Sequence, residues 1–241
     1  MNSNEYGAIE NAEINLLNVT AIRRTIYNFI SRGFSHEIDQ TYLDQARNYL
    51  PMLKNLEVSM DNSDYVNGLT RLEEFIGKIK DDNELVQEYA CKFVTVLLNL
   101  SGDGSLGVDP YESIYLSTAK ALMQESRDQV VEFYAEYGHG VGESFKEPED
   151  HIAAELSFLA SLNGEILKDI DSGKEFAEIE RKLKGQLEFM KKHLMLWLPL
   201  LSLDLKRVDP EGFYGILGEL AHGFCRTDVL FLEDLLEYFK K

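Results

Sequence analysis

The 241-residue sequence contains few cysteines, few prolines and no long apolar run. Its two cysteines, Cys91 and Cys225, lie in apolar, helical-looking context, so we expect free, buried thiols in a reducing compartment. The 5 prolines and 17 glycines argue against long disordered or proline-rich segments. No apolar segment approaches the ~18 residues of a transmembrane helix, and residues 1–13 lack the basic and apolar regions of a signal peptide. These absences predict a cytoplasmic protein without stable membrane insertion.

Basic side chains are also scarce. The sequence has 24 Lys and Arg against 42 Asp and Glu, which gives a formal net charge of −18. A chain this acidic is unsuited to neutralising phosphates, so we expect no nucleic acid partner. The same charge favours solubility and attracts cationic partners. Hydrophobic residues make up 44% of the sequence, which is enough for a globular core.

Apolar residues recur at spacings of three and four along most of the chain, as on one face of a helix. The first helix is expected to end near Gly33, residues 85–100 to form a fully buried helix, and Asp209-Pro210 to begin a later one as N-cap and first helical residue. No segment alternates convincingly between apolar and polar residues, and no internal repeat is visible. We therefore predict an all-α fold: a single helical domain over residues 1–241 with roughly ten helices and short connections.

The longest irregular stretch, residues 101–110, lies near the middle of the chain. A hinge within residues 101–149 would join two helical halves. Such a hinge permits a domain-swapped dimer as well as a monomer.

The segments that match parts of catalytic or cofactor-binding motifs lack the necessary sequence context. Residues 102–107 match G-x-G-x-x-G, but no strand precedes them and no helix begins within them, as a dinucleotide site requires. Residues 138–142 are rich in glycine but no Gly-Lys-Ser/Thr follows to meet phosphates. No H-E-x-x-H, C-x-x-C or G-x-S-x-G is present. The sequence therefore predicts neither an enzyme nor a metal site, and we expect no cofactor.

One informative motif is Asp109–Leu116, which places a proline where a helix could begin and follows it with aromatic and acidic residues. If the segment is helical, Tyr111 and Tyr115 share one face, with Glu112 and Ser113 to the side. Two tyrosines at that spacing form either the floor of a peptide-binding groove or part of the core.

A second motif is Glu147–Ala153, in which Pro148 is predicted at the first helical position. Glu149 and Asp150 would then lie in the first turn, where negative charge complements the helix dipole. His151 stands beside them and could pair with Asp150 or Glu147. The motif indicates either an acidic and imidazole rim for a guanidinium or peptide group, or only a well-formed helix start.

Three segments, taken in order, resemble the TorD/DmsD-type chaperones, the redox-enzyme maturation family that serves molybdoenzyme reductases. They are Pro110–Leu116, Glu147–Leu159 and Phe189–Pro199, here called the first, second and third signature segments. Order and spacing agree from about residue 85 to 225, and Arg24–Phe34 fits more loosely. Residues 97–102 depart from the Leu-Phe-x-Gly-type helix end common in the family, which bears on local pocket shape and client preference.

The resemblance implies a non-enzymatic, all-helical cytoplasmic chaperone. It would bind the twin-arginine leader and the apo form of a molybdopterin oxidoreductase catalytic subunit, assist cofactor insertion and delay export until maturation. The residues expected to bind the client are Tyr111, Glu112, Ser113, Tyr115, Glu147, Pro148, Asp150 and His151. His193 and Trp197 match the third signature segment and are expected to support packing. Weak guanine-nucleotide binding is a further implication of the resemblance.

The first and second signature segments are predicted to form the rim and floor of one peptide groove, although 31 residues separate Leu116 from Pro148. Two alternatives stay open: a nucleotide-binding regulatory helical protein, and a helical scaffold unrelated to export. The identity of the client reductase is open as well.

Overall fold

The computed structural model describes residues 3–57, 63–79, 81–99, 107–142 and 145–240, with side chains from residue 16 onward except 55–57. These residues form ten α-helices and contain no β-strand, so the predicted all-α fold is confirmed. The helices are α1 (Ser3–Ser35), α2 (Gln40–Glu57), α3 (Ser63–Lys78), α4 (Asp82–Lys92), α5 (Glu112–Leu116), α6 (Glu125–Glu136), α7 (Ile152–Asp171), α8 (Phe176–Phe189), α9 (Met195–Val208) and α10 (Phe213–Tyr238). Two π-helical segments, Phe93–Leu97 and Met190–Leu194, extend α4 and join α8 to α9.

Helix α7 packs along α1 and also contacts α8. Its sequence is apolar almost all round, as expected of a helix surrounded by protein. Small residues at its start bring α1 close, and the Ser31 hydroxyl of α1 donates to the carbonyl of Ala153 at 2.7 Å. Helix α10 packs mainly against α3 and α9. The core therefore unites residues from the first and last thirds of the chain.

A buried polar network that the sequence did not suggest ties α1 to three later helices. Arg23 donates to Asp228 at 2.6 Å and to Asn163 at 2.9 Å, and it also contacts Gln186. The Tyr27 hydroxyl donates to Asp228 at 2.5 Å. Because the pair is buried and well supplied with hydrogen bonds, the neighbouring carboxylate holds the pKa of Arg23 above its ordinary value, against the opposing effect of burial.

Helix α1 ends at Ser35, near Gly33 as predicted, but Gly33 lies inside the helix and is not the residue that stops it. A Cβ at Gly33 would come within 2.6 Å of the Tyr42 hydroxyl, so close packing explains this glycine. Other predicted boundaries are wrong. Asp209 ends α9, and α10 begins only at Phe213 after Gly212, so Asp209 and Pro210 are not its N-cap and first residue. The Asp209 carboxylate still accepts from the Tyr214 N–H in the first turn of α10 at 3.0 Å, and it also accepts from Lys92 at 2.9 Å. The helix expected over residues 85–100 is not fully buried, and Cys91 within it is exposed.

Most of the 102–107 glycine motif lies outside the described residues; Gly107 is described, and its backbone approaches the carbonyl of Thr95 too closely for a Cβ. Among the described helices, none combines the length and apolar composition that crossing a membrane would require.

Candidate functional site

The first and second signature segments lie side by side. The N–H of Glu112 donates to the carbonyl of Asp150 at 3.0 Å, and the N–H of Ile152 donates to the carbonyl of Pro110 at 2.9 Å, which forms an isolated antiparallel bridge centred on Tyr111 and His151. Residues far apart in sequence thus meet at the starts of α5 and α7.

Asp150 belongs structurally to α5 and not to the first turn of α7. Its carboxylate accepts from the N–H of Ser113 at 2.8 Å, so it satisfies a free donor at the start of that five-residue helix. Pro148 lies in the turn before α7, which begins only at Ile152, so its predicted place at the first helical position is wrong.

His151 caps α7, and it is held neutral. Its Nδ1 accepts from the N–H of Ala153 at 3.0 Å, and its ring lies edge-on to Tyr111 with centroids 5.0 Å apart. Burial lowers the pKa of His151 to about 3. The predicted pairing of His151 with Asp150 or Glu147 is therefore wrong: Glu147 instead accepts from the Tyr111 hydroxyl at 2.6 Å.

The two tyrosines of the first motif do not share a helix face. Tyr111 has extended backbone as the N-cap of α5, and burial with the Glu147 contact raises its pKa. Tyr115 is half-buried against α9, where its hydroxyl donates to Asp204 at 3.1 Å and its ring packs on Trp197 with centroids 5.5 Å apart. Each tyrosine therefore fixes a different end of α5.

The third signature segment completes one buried network. Nδ1 of His193 lies 3.2 Å from Oε1 of Glu112, and the Trp197 indole N–H donates to Oε2 of Glu155 at 3.3 Å. Burial raises the pKa of Glu155 well above its ordinary value, and the charges of Glu112 and Asp150 raise it further. Despite this cluster of acids, no group in the described residues is arranged to hold a metal ion.

Glu155 was missed in the sequence analysis. The available signal was a single carboxylate inside the apolar run 152–159, where a charge has no solvent to face. Burial was missed as well: Glu112, Ser113 and Asp150 are each at most 1% exposed. The prediction that these side chains form an open, acidic rim is thus wrong. Their part in client binding stays a prediction.

Exposed apolar side chains occur beside this network. Leu196, Leu200 and Leu203 are 53%, 47% and 65% exposed and follow one another at i, i+4 and i+7 on one face of α9; we call them the α9 leucine face. Leu116, at the end of α5, is 39% exposed and follows Tyr115, which contacts α9.

A pocket of about 230 Å³ opens between the end of α1, the first half of α7 and residues 139–145, of which 143 and 144 are not described. Small residues such as Ala153, Ala154 and Ser157 leave the space, and Phe145 and Phe158 wall it. No Lys or Arg is among its described lining residues.

These features define an all-helical protein with a buried polar junction and an exposed apolar face beside it. Residues 61–202 match the family described as nitrate reductase delta subunit, and the chain belongs to that family. The chaperone protein TorD of Vibrio parahaemolyticus is 27% identical over 215 residues, which is 87% of this chain and 94% of the relative. TorD of Photobacterium profundum is 32% identical over 155 residues, covering 64% and 68% of the two chains.

A crystal structure described as a redox enzyme maturation protein from Archaeoglobus fulgidus aligns with a TM-score of 0.44 and 18% identity, over 88% of this chain and 93% of the other. The family recognised in the signature segments is confirmed by the sequence matches, and the relatives are chaperones and not enzymes.

Proposed function

We propose that this chain is a chaperone that binds the twin-arginine leader and the apo form of a molybdopterin-containing reductase subunit. It would assist cofactor insertion in the cytoplasm and delay export until the subunit is mature. Membership of the family and the chaperone names of the relatives support the class. The observation that carries the binding proposal is the α9 leucine face, which lies exposed beside the network built from all three signature segments.

A twin-arginine leader consists of a basic pair followed by an apolar run. An apolar helix can lie against a row of side chains spaced at i, i+4 and i+7, which is the arrangement of the α9 leucine face. Helix α5 borders that face, because Tyr115 is fixed to both Trp197 and Asp204. The signature residues thus act on the client by positioning α5 and α9.

The charge of the chain suits the basic end of the leader. A net charge of −18 speeds the encounter with a cationic segment. Asp109 is exposed just before α5, and Asp204 is partly exposed on α9, where it also pairs with Arg207 at 3.2 Å. A chaperone that must release its client needs moderate affinity, about −8 to −10 kcal/mol.

The test is a titration of a synthetic peptide, two adjacent arginines followed by an apolar run, into wild type, Leu200→Glu, Leu203→Glu and Leu230→Glu. Leu230 is the matched control because it is 56% exposed but lies on α10. We expect about a tenfold or larger loss of affinity for the α9 variants, which is ~1.4 kcal/mol, and no change for Leu230→Glu. Equal affinity for all four proteins would remove the α9 leucine face from the site. A wild type that does not bind the peptide would overturn the proposed function.

Neither alternative gains support from a specific observation. The pocket at α1 and α7 is smaller than the roughly 300 Å³ and above of typical small-molecule sites, and no Lys or Arg is among its described lining residues. A second pocket of about 390 Å³ between α1 and α2 includes Arg32, but this side chain is paired with Asp39 at 3.0 Å. Equilibrium dialysis with GTP tests nucleotide binding directly. Capture of a molybdoenzyme subunit by the full chain tests the scaffold alternative.

A further inference from the structure

We infer that Glu155 is a positioning residue that shares a proton with Glu112 and thereby fixes α5 beside the α9 leucine face. Its effect on client binding rests on the proposed function. The shared proton and its hold on α5 do not depend on that function.

The two carboxyl groups are arranged so that each has one oxygen with a donor and one without. Glu112 meets His193 through Oε1, and Glu155 meets Trp197 through Oε2. Glu112 Oε2 and Glu155 Oε1 are buried and find no hydrogen-bond donor among the described residues. The two side chains contact each other. Ionised carboxylates only accept hydrogen bonds, so one proton between these oxygens satisfies both at once.

The alternative, two ionised carboxylates in contact in the core, is costly. Both residues are at most 1% exposed, so water cannot screen their repulsion. Burial and the charges of Glu112 and Asp150 all raise the pKa of Glu155, which agrees with a retained proton.

Helix α5 depends on such contacts because five residues do not form a stable helix alone. Its start is held by Asp150 on the Ser113 N–H, its end by Tyr115 on Asp204 and Trp197, and its buried face by Glu112. Of these contacts, the one between Glu112 and Glu155 requires a proton between two acids. Losing that proton replaces an attraction with a repulsion.

Other titratable groups surround the pair. Asp150 precedes α7, His193 lies in the π-helical segment, Tyr134 belongs to α6 and Cys225 to α10. Burial raises the pKa values of Tyr134 and Cys225.

Two direct measurements test the proton and its structural effect. Infrared spectroscopy at neutral pH should show the carbonyl band of a protonated carboxyl in wild type, and the band should be absent from Glu155→Gln. Hydrogen exchange of the α5 amides should be as slow in Glu155→Gln as in wild type, because the amide can donate to Glu112. Exchange should be faster in Glu155→Ala, while Glu165→Gln on the same helix serves as control.

Absence of the band in wild type would overturn the shared proton. If α5 exchanges in Glu155→Ala as in wild type, or in Glu155→Gln as fast as in Glu155→Ala, the positioning role is overturned. Trp197 is the only tryptophan and bonds Glu155, so its emission reports the same junction if Glu155→Ala does not fold well enough for exchange. In that case we expect Glu155→Gln to show the same Trp197 emission as wild type at neutral pH, and a changed emission would overturn the positioning role.

Peptide affinity separates this inference from the proposed function. Wild type should lose about tenfold in affinity when alkaline pH removes the proton from Glu155, whereas Glu155→Gln should keep its neutral-pH affinity. If wild type fails to bind the peptide at all, the proposed function fails, but the infrared and exchange results still decide the role of Glu155.

Discussion

His151 shows how a residue can be singled out correctly by its sequence and yet do different chemistry from that expected. Its position beside acidic residues suggested a charged rim. In the structure its ring is buried, caps α7 through Nδ1 and stays neutral. Sequence neighbours alone could not reveal this, because the ring packs against Tyr111 from the first signature segment as well as against the nearby Phe145.

The lowered pKa of His151 predicts an acid-sensitive contribution to stability. The unfolded chain binds a proton near pH 6.5 and the folded chain only near pH 3, so the free energy of unfolding falls as pH falls through this window. Between pH 7 and 5 the loss from this one group is about 2 kcal/mol. His151→Asn keeps a capping oxygen and removes the titration.

Urea unfolding at both pH values measures this difference. On going from pH 7 to pH 5, the free energy of unfolding should fall by about 2 kcal/mol more in wild type and in the control His36→Asn, whose histidine is exposed, than in His151→Asn. Equal losses in all three proteins would show that His151 does not stay neutral in the folded state.

At the scale of elements, helical periodicity predicted most helices, but prolines misplaced two of their starts. Pro148 and Pro210 both occupy turns before the helix, since a φ near −65° suits a turn as well as a first helical turn. The carboxylates beside them make contacts that the spacing did not indicate: Asp150 serves α5, and Asp209 meets Lys92 as well as the Tyr214 N–H in the first turn of α10. Tertiary contacts therefore decided the boundaries, and no local signal describes those contacts.

Helix α5 should depend on Asp150 through its bond to the Ser113 N–H. Asp150→Ala removes an acceptor that caps the helix, whereas Asp150→Asn keeps one, so we expect faster amide exchange in α5 and weaker peptide binding for the alanine variant alone. The measurement is hydrogen exchange with and without the peptide. Equal exchange in both variants and wild type would show that α5 is held without Asp150.

For the molecule as a whole, the fold class and the family were predictable, but the contacts that join distant helices were not. Arg23 and Asp228 pair across 205 residues, and nothing near either residue indicates the other. The hinge predicted within residues 101–149 stays a prediction. Helix α1 precedes the predicted hinge and packs along α7, which follows it. If two copies of the chain exchanged halves, the contact between α1 and α7 would have to form between the copies.

Breaking the Arg23–Asp228 pair should destabilise the whole molecule. Arg23→Met leaves Asp228 buried without its cation, and such losses cost about 3–5 kcal/mol. Lys192→Met, which breaks an exposed pair with Glu188 on the surface, should cause no measurable loss. Urea unfolding compares the two variants, and similar stabilities would contradict a central role for the buried network.

Binding of a twin-arginine leader on the α9 leucine face, beside the buried signature network, can be tested by photo-cross-linking. The probe is the arginine-pair peptide with a photoreactive residue in its apolar run. We expect cross-links to residues 196–203 of α9 and to Leu116, which disappear in Leu200→Glu but persist in Leu230→Glu. Cross-links confined to α10 or to the pocket between α1 and α7 would contradict it.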